Sequence, residues 1–290
     1  TKPVYIASGT ASLSTTGLSF PSIEVASGAT LTIDAGKDVT LSSSANTSSY
    51  QSGNFINNGG TVTMNSDATN FSSLIIEGTA TGNITYNRWV NSVSISSPSD
   101  ASPGWDLVGS PVLNGTMDPT TLATSGSNYG ILPFDNTSSS NGSWTNTTSD
   151  ATFTTSTGVG YAMANTTAGT VAFTGVPNTF TNTDIAITNN SSGAGTHWNL
   201  VANPFPAFLA LNGDAKDNSS ATSSFLWYNG ANVDVLGNTG FDEGVWYWDG
   251  TDYIAKNNNS SGNLYAVPGQ AFFISAETSG NVSFRTGNVT

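Results

Sequence analysis

The sequence predicts an all-β protein, with an N-terminal β-solenoid-like segment followed by a duplicated β-sandwich region. Three observations carry that prediction. Short apolar-polar-apolar triplets alternate with Gly- and Asn-rich turns along the first 90 residues. In the remainder, Gly104-Trp105-Asp106-Leu107-Val108-Gly109-Ser110-Pro111-Val112 returns as His197-Trp198-Asn199-Leu200-Val201-Ala202-Asn203-Pro204-Phe205, an offset of 93. Gly158-Val159-Gly160-Tyr161-Ala162-Met163 likewise returns as Gly269-Gln270-Ala271-Phe272-Phe273-Ile274, an offset of 111. Nowhere do apolar residues recur at helical spacing for three turns.

Taken in order, the first strands are Ile23-Glu24-Val25, Leu31-Thr32-Ile33 and Val39-Thr40-Leu41. Val62-Thr63-Met64, Leu74-Ile75-Ile76 and Ile84-Thr85-Tyr86 follow, with Gly28, Gly36, Asn58-Gly59-Gly60, Gly78 and Gly82 between them. Ile23, Leu31 and Val39 open segments eight residues apart. That regularity suits solenoid coils, each burying its face on its neighbours; a sandwich meander is the alternative. Pro98 and Pro103 lead into the first Trp motif, which places a boundary near residue 90. The expected units are 1–90 and 91–290, the latter as copies at about 91–190 and 191–290. Asn114-Gly115, Asn141-Gly142, Asn212-Gly213 and Asn229-Gly230 read as turns. So do Asp135-Asn136 and Asp249-Gly250, each after a strand. Ser/Thr/Asn-rich stretches at 136–150 and 255–263 read as hairpin tips.

Composition narrows the function. Only 9% of residues are charged, far below the roughly 25% of ordinary domains, so solubility rests on Ser, Thr, Asn and Gly. Such a surface barely responds to pH and reads as extracellular. The net charge of −13, from 19 acidic and 6 basic residues, argues against a nucleic-acid partner. Lys2, Lys37, Arg88, Lys216, Lys256 and Arg285 are scattered singly, whereas polyanion binding needs them clustered. No apolar run reaches the roughly 18 residues of a membrane-spanning segment. No signal peptide opens the chain, so one is expected to have been removed ahead of Thr1. With no cysteine, disulfides, thiolate metal sites and cysteine nucleophiles are excluded together.

The Trp motifs are followed by Val245-Trp246-Tyr247-Trp248-Asp249-Gly250-Thr251-Asp252-Tyr253 and Val267-Pro268-Gly269-Gln270-Ala271-Phe272-Phe273-Ile274. In that order they resemble the secreted and surface β-rich proteins of Bacteroidota exported by the type IX secretion system. Ser27-Gly28-Ala29-Thr30-Leu31-Thr32-Ile33 and the stretch from Gly82 to Val90 resemble the solenoid-like lead-in of the same proteins. The resemblance covers almost the whole chain and implies an exported, cell-surface protein. It also implies a C-terminal sorting domain, which the sequence up to Thr290 does not contain. It implies no particular activity.

Candidate chemistry is sparse. His197, the one histidine, would have to be the base of any serine triad. It takes the slot of Gly104 beside a core Trp, and reads as a loop or surface residue. One histidine and no cysteine leave no ordinary zinc or copper set. Asp242, Glu243, Asp249 and Asp252 surround the Trp246-Tyr247-Trp248 strand and would be the carboxylates of a glycosidase. Calcium is the one conceivable ion, on Asp242, Glu243 and Asp252 or on Asp214 and Asp217, without any EF-hand spacing. Trp227, Tyr228, Trp246 and Trp248 could stack on sugar rings. Trp246 and Trp248 share one strand face, with Val245 and Tyr247 on the other, and packing of these rings in the core is the competing reading. Asn-x-Ser/Thr triplets at Asn46, Asn70, Asn83, Asn136, Asn146, Asn165, Asn218 and Asn259 are expected by chance at this composition. The sequence therefore points to a non-enzymatic structural or adhesive surface protein that needs no cofactor. Its expected partners are further copies of itself, as a homo-oligomer or filament, or surface glycans. A carbohydrate-binding module is the runner-up, and a glycosidase comes third.

Overall fold

The computed structural model describes residues 2–42, 53–92, 104–179, 182–216, 224–227, 231–236, 244–249, 252–258 and 260–285. The protein is all-β, with 50% strand against 5% helix in several sheets. Pro98, Pro103 and Asn229-Gly230 lie outside the described residues.

Over the first 90 residues the strands stack into three parallel ladders. One joins Val4–Ile6, Ser22–Val25, Asn54–Asn57 and Ala80–Thr81. A second joins Thr10–Leu13, Thr30–Ile33, Thr61–Asn65 and Ile84–Val90. The third joins Leu18–Phe20, Asp38–Leu41 and Ser73–Ile76. The chain visits the ladders in fixed rotation, so each strand rests on the one laid down a circuit earlier. Ile23, Leu31 and Val39 thus fall on three different ladders, and their eight-residue spacing is one strand with its turn. Register sets like on like: Leu13, Ile33, Met64 and Tyr86 form one row, and Leu18, Val39 and Leu74 another. Inward residues are buried and alternate with half-exposed Ser, Thr, Glu and Asp, because successive side chains leave opposite faces of a strand. The rows together form one apolar core.

The turns between ladders are held by small residues. Gly82 has φ of +81°, and a Cβ there would strike the Asn57 carbonyl oxygen, so the position accepts only glycine. Asn57 is itself buried. Its amide donates to the carbonyls of Gly60 (3.0 Å) and Asn83 (2.7 Å), and its Oδ1 accepts from the Gly60 N–H.

The second ladder continues past residue 90. Every residue from Ile84 to Val90 pairs antiparallel with Gly169–Pro177, Tyr86 opposite Phe173. Val112–Met117 and Phe153–Thr154 extend this into a seven-stranded sheet. The core accordingly runs unbroken from Ile6 to Phe173. On the third ladder, Leu74 N–H donates to the Pro206 carbonyl at 2.6 Å and Ile75 packs on a second core.

Three two-stranded pairs (Thr124–Ser125 with Asn128–Tyr129, Thr183–Ile187 with Gly280–Phe284, Leu209–Ala210 with Tyr265–Ala266) and two four-stranded antiparallel sheets complete the described fold. One runs Asp106–Val108, Tyr161–Met163, Ile131–Asp135, Ser143–Trp144; the other runs Trp198–Ala202, Ala271–Ser275, Gly244–Trp248, Tyr253–Asn257. Relative to the chain the strand order is the same in both. Each Trp motif supplies the first strand. The sheets touch through two bridges, Val108 to Gln270 and Val159 to Val201. At offsets of 93 and 111 these are one contact seen from either side, as at a local two-fold axis. The Gly109 N–H donates to the Gly269 carbonyl and the Ala202 N–H to that of Gly158, both at 2.8 Å, and they match in the same way.

Three expectations need correction. Asn114-Gly115 is no hairpin tip: Asn114 has φ of +43°, and the pair forms a bulge inside Val112–Met117, where the register slips between Leu113 and Thr116. Residues 255–257 belong to the strand Tyr253–Asn257 rather than to a tip. Ser143–Trp144, within 136–150, is likewise a strand, paired with Phe134–Asp135. Asn212-Gly213 does open a turn, the 3-10 turn Gly213–Lys216, and the buried Asn212 amide donates to the carbonyls of Ser260 and Gly262. A short helix, Ala231–Leu236, packs against the strand Gly280–Phe284. Its buried Asn232 donates to Phe225 O and Ser283 O and accepts from Ser283 N–H.

Aspartates close exposed turns and set the acid response. Asp67 is held below the usual carboxylate range by the Thr69 N–H, with Asn70 adding to it. The Thr120 hydroxyl and N–H lower Asp118, and the Thr137 hydroxyl and N–H lower Asp135. A depressed folded pKa adds stability that is present above the unfolded value and lost as pH falls through the folded one. Burial raises Asp106, against the hydrogen bonds from Asn91, and this acts in the opposite sense, being lost as pH rises. With three caps against one, the melting temperature should hold level from about pH 5 to 8 and fall below about pH 4. Circular-dichroism melts across that range check this.

Candidate functional site

The strand Gly244–Trp248 separates two environments, as alternation requires. Val245 is fully buried and, with Tyr247, meets the second core. Trp246 and Trp248 face the other way, into a cluster shared by the two four-stranded sheets. Trp246 stands edge-on to Trp198 at 4.7 Å, and Trp248 to Tyr253 at 5.0 Å. Tyr253 meets Phe273, which meets Phe134 and Trp144, so the five rings from Trp248 to Trp144 form a continuous series beside the Trp198–Trp246 pair. Both tryptophans are half-buried. The Trp248 Nε1 is buried without a hydrogen-bond partner. Trp227 closes the 3-10 turn Phe225–Trp227, and Tyr228 lies outside the described residues.

The carboxylates are only partly placed. Asp242, Glu243 and Asp217 lie outside the described residues. Asp214 is in the Gly213–Lys216 turn. Asp252 is exposed in the hairpin turn, where its N–H donates to Asp249 Oδ1 at 2.9 Å. Among the described residues no three His, Cys, Asp or Glu side chains gather as a metal site. The His197 ring lies 5.0 Å from that of Trp198, and its carbonyl accepts from Ala276 N–H and from Asn199. No hydroxyl or carboxylate among the described residues bonds to its imidazole. Among the described residues no helix is long and apolar enough to cross a membrane.

The opposite face of the tryptophan strand holds a feature the sequence did not reveal. Tyr247 borders a cleft of about 290 Å³ with Leu264, Tyr265, Asn263 and Gln270, over the buried Leu211 and Phe272. Its polar groups are oriented by the backbone. The Tyr265 hydroxyl donates to the Ala215 carbonyl at 2.9 Å, and Gln270 Oε1 accepts from Val267 N–H at 3.0 Å. That fixes Gln270 with its NH₂ as the remaining polar group. Among the described residues no charged side chain lines the cleft. Its residues come from four separate segments, so no local motif marks it; the one sequence signal is the alternation that turns Tyr247 away from Trp246 and Trp248.

The first sheet fills the corresponding place. Phe153, from the strand that matches Tyr265–Ala266 in the pairing scheme, lies edge-on to Tyr161 at 5.5 Å and packs against the first core. Tyr161 stands where Phe272 stands, at the offset of 111.

Comparisons with protein-family models, with curated proteins and with solved structures find no match.

Proposed function

We propose that this chain is a non-enzymatic, exported cell-surface protein with a structural or adhesive role, and that it associates with a second copy of itself. In this reading residues 1–90 are a short β-solenoid and 91–290 a duplicated β-sandwich region, with the seven-stranded sheet joining them. The uncharged polar surface and the resemblance to type IX-exported surface proteins of Bacteroidota support the location.

The observation that carries self-association is the first circuit, over which no other described strand lies. Val4–Ile6, Thr10–Leu13 and Leu18–Phe20 each sit at the end of their ladder. Of their inward residues Ile6 is buried at 8% exposure, but Val4, Ala11, Leu13, Leu18 and Phe20 are only partly buried, whereas Ile23, Val25, Leu31, Ile33, Val39 and Leu41 one circuit on are 0–1% exposed. The backbone is open as well. Carbonyls of Ile6, Gly9, Leu13 and Phe20 bond forward to Ala26, Thr30, Asp34 and Ser42. Alternation then turns the backbone groups of Tyr5, Thr10, Ser12 and Ser19 outward, as a template for further strands. Tyr5 is 63% exposed on this rim. The opposite end is occupied, by Gly169–Pro177 on one ladder and Pro206 on another. One open end favours an isologous pair joined end to end.

Ser12→Pro tests this, because it removes an outward N–H and leaves the ladder to Thr30–Ile33 intact. Sedimentation equilibrium should show concentration-dependent pairing of the native chain and a monomeric Ser12→Pro variant with nearly unchanged melting. A native chain that stays monomeric at high concentration overturns the proposal.

A further inference from the structure

We propose that the cleft between Tyr247 and Tyr265 binds a neutral sugar ring. This gives the adhesive role a ligand class and rests on that reading. It moves recognition from the Trp246/Trp248 face, whose rings pack on one another, to the opposite face of the same strand.

A pyranose is flat and apolar on its C–H faces and carries hydroxyls, each both donor and acceptor, around its edge. The cleft offers the complementary set. Leu211 and Phe272 form a dry floor, two phenol rings stand beside it, and Asn263 and Gln270 supply amides. Gln270 is pre-set: its Oε1 is engaged by Val267 N–H, so its NH₂ is presented to a ligand oxygen without a conformational search. Tyr265 is fixed in the same way through Ala215. Rings held rigid before binding lose little entropy when a ligand stacks on them. The volume, about 290 Å³, lies near the lower bound of small-molecule pockets, roughly 300 Å³, and fits one or two sugar units rather than a long groove-bound chain. Charge selects the subclass. With no cation among the described lining residues and a net charge of −13, uronic and sialic acids meet no counter-charge there and a repulsive field. In the equivalent place of the first sheet Phe153 lies on Tyr161 instead.

The test is an array of neutral and acidic oligosaccharides, followed by NMR titration of the best neutral hit. Native and monomeric Ser12→Pro chains are measured in parallel, so that failure to pair and failure to bind are read separately. Binding should favour neutral sugars and be equal in both chains. Gln270→Glu keeps the acceptor for Val267 N–H but removes the NH₂ and adds repulsion; Tyr247→Ser removes a ring. Each should weaken binding roughly ten-fold or more. Tyr253→Ser, an exposed ring on the other face, should leave it unchanged. If Tyr247→Ser fails to fold, Gln270→Glu decides alone. The proposal is overturned if no neutral sugar binds at millimolar concentration, if acidic sugars or peptides bind instead, or if binding survives Gln270→Glu and is lost in Trp246→Ala.

Discussion

Gly109→Ala is expected to destabilise the protein by about 1–3 kcal/mol, a large effect for one methyl group. Gly109 lies at the local two-fold where the two four-stranded sheets meet. A Cβ there would run into the Ala202 Cβ and sit 2.7 Å from the Val159 carbonyl oxygen, so the sheets must separate to admit it. Ala202 holds the equivalent place in the second Trp motif, so the junction has room for one methyl group and already contains it. The double variant Gly109→Ala/Ala202→Gly should recover part of the loss, and the non-additivity measures the contact directly. Urea melts of the four chains in the cycle provide the comparison. Gly109→Ala melting like the native chain would mean that the sheets do not abut there.

Tyr86→Ala should be more costly still, about 3–5 kcal/mol. Tyr86 is fully buried, at the end of the Leu13, Ile33 and Met64 row on one side and opposite Phe173 on the other. It therefore binds the ladders to the seven-stranded sheet. Its hydroxyl donates to the Ser72 carbonyl at 2.8 Å. Tyr86→Phe removes that bond alone and should cost about 1 kcal/mol. Because the core is unbroken from Ile6 to Phe173, Tyr86→Ala should lower a single unfolding transition of the ladders and the first sheet together. A second, unshifted transition for the first 80 residues would show instead that the ladders fold independently.

The six triplets read from the sequence are all strands: five have a polar residue between two apolar ones, as a strand with one buried face needs, and in the sixth Ile75 meets the second core instead. Asn54–Asn57 escaped notice because Phe55-Ile56 follows a Ser/Asn-rich stretch and is flanked by asparagines. The split of Val245 and Tyr247 from Trp246 and Trp248 was also legible, since it follows from the pleat alone. What lies across each face was not. That depends on the bridges at Val108–Gln270 and Val159–Val201, which join residues far apart in the chain. Polar residues misled most. Asn203, Asn212 and Asn232, indistinguishable in sequence from surface asparagines, are 0% exposed and tie loops by accepting N–H and donating to carbonyls. Asn136 behaves alike, reaching Thr188 and Asn199 across the two sheets. An uncharged amide serves both roles without a desolvated charge, which is how a chain with few ionic residues closes long loops.

Electron microscopy of the purified chain at high concentration distinguishes an end-to-end pair from a monomer. The expected particles are two-lobed, twice 29.8 kDa, joined through the strands at residues 4–20 and separated into single lobes by Ser12→Pro. Single, dispersed particles at every concentration, or pairs that persist unchanged in Ser12→Pro, would contradict it.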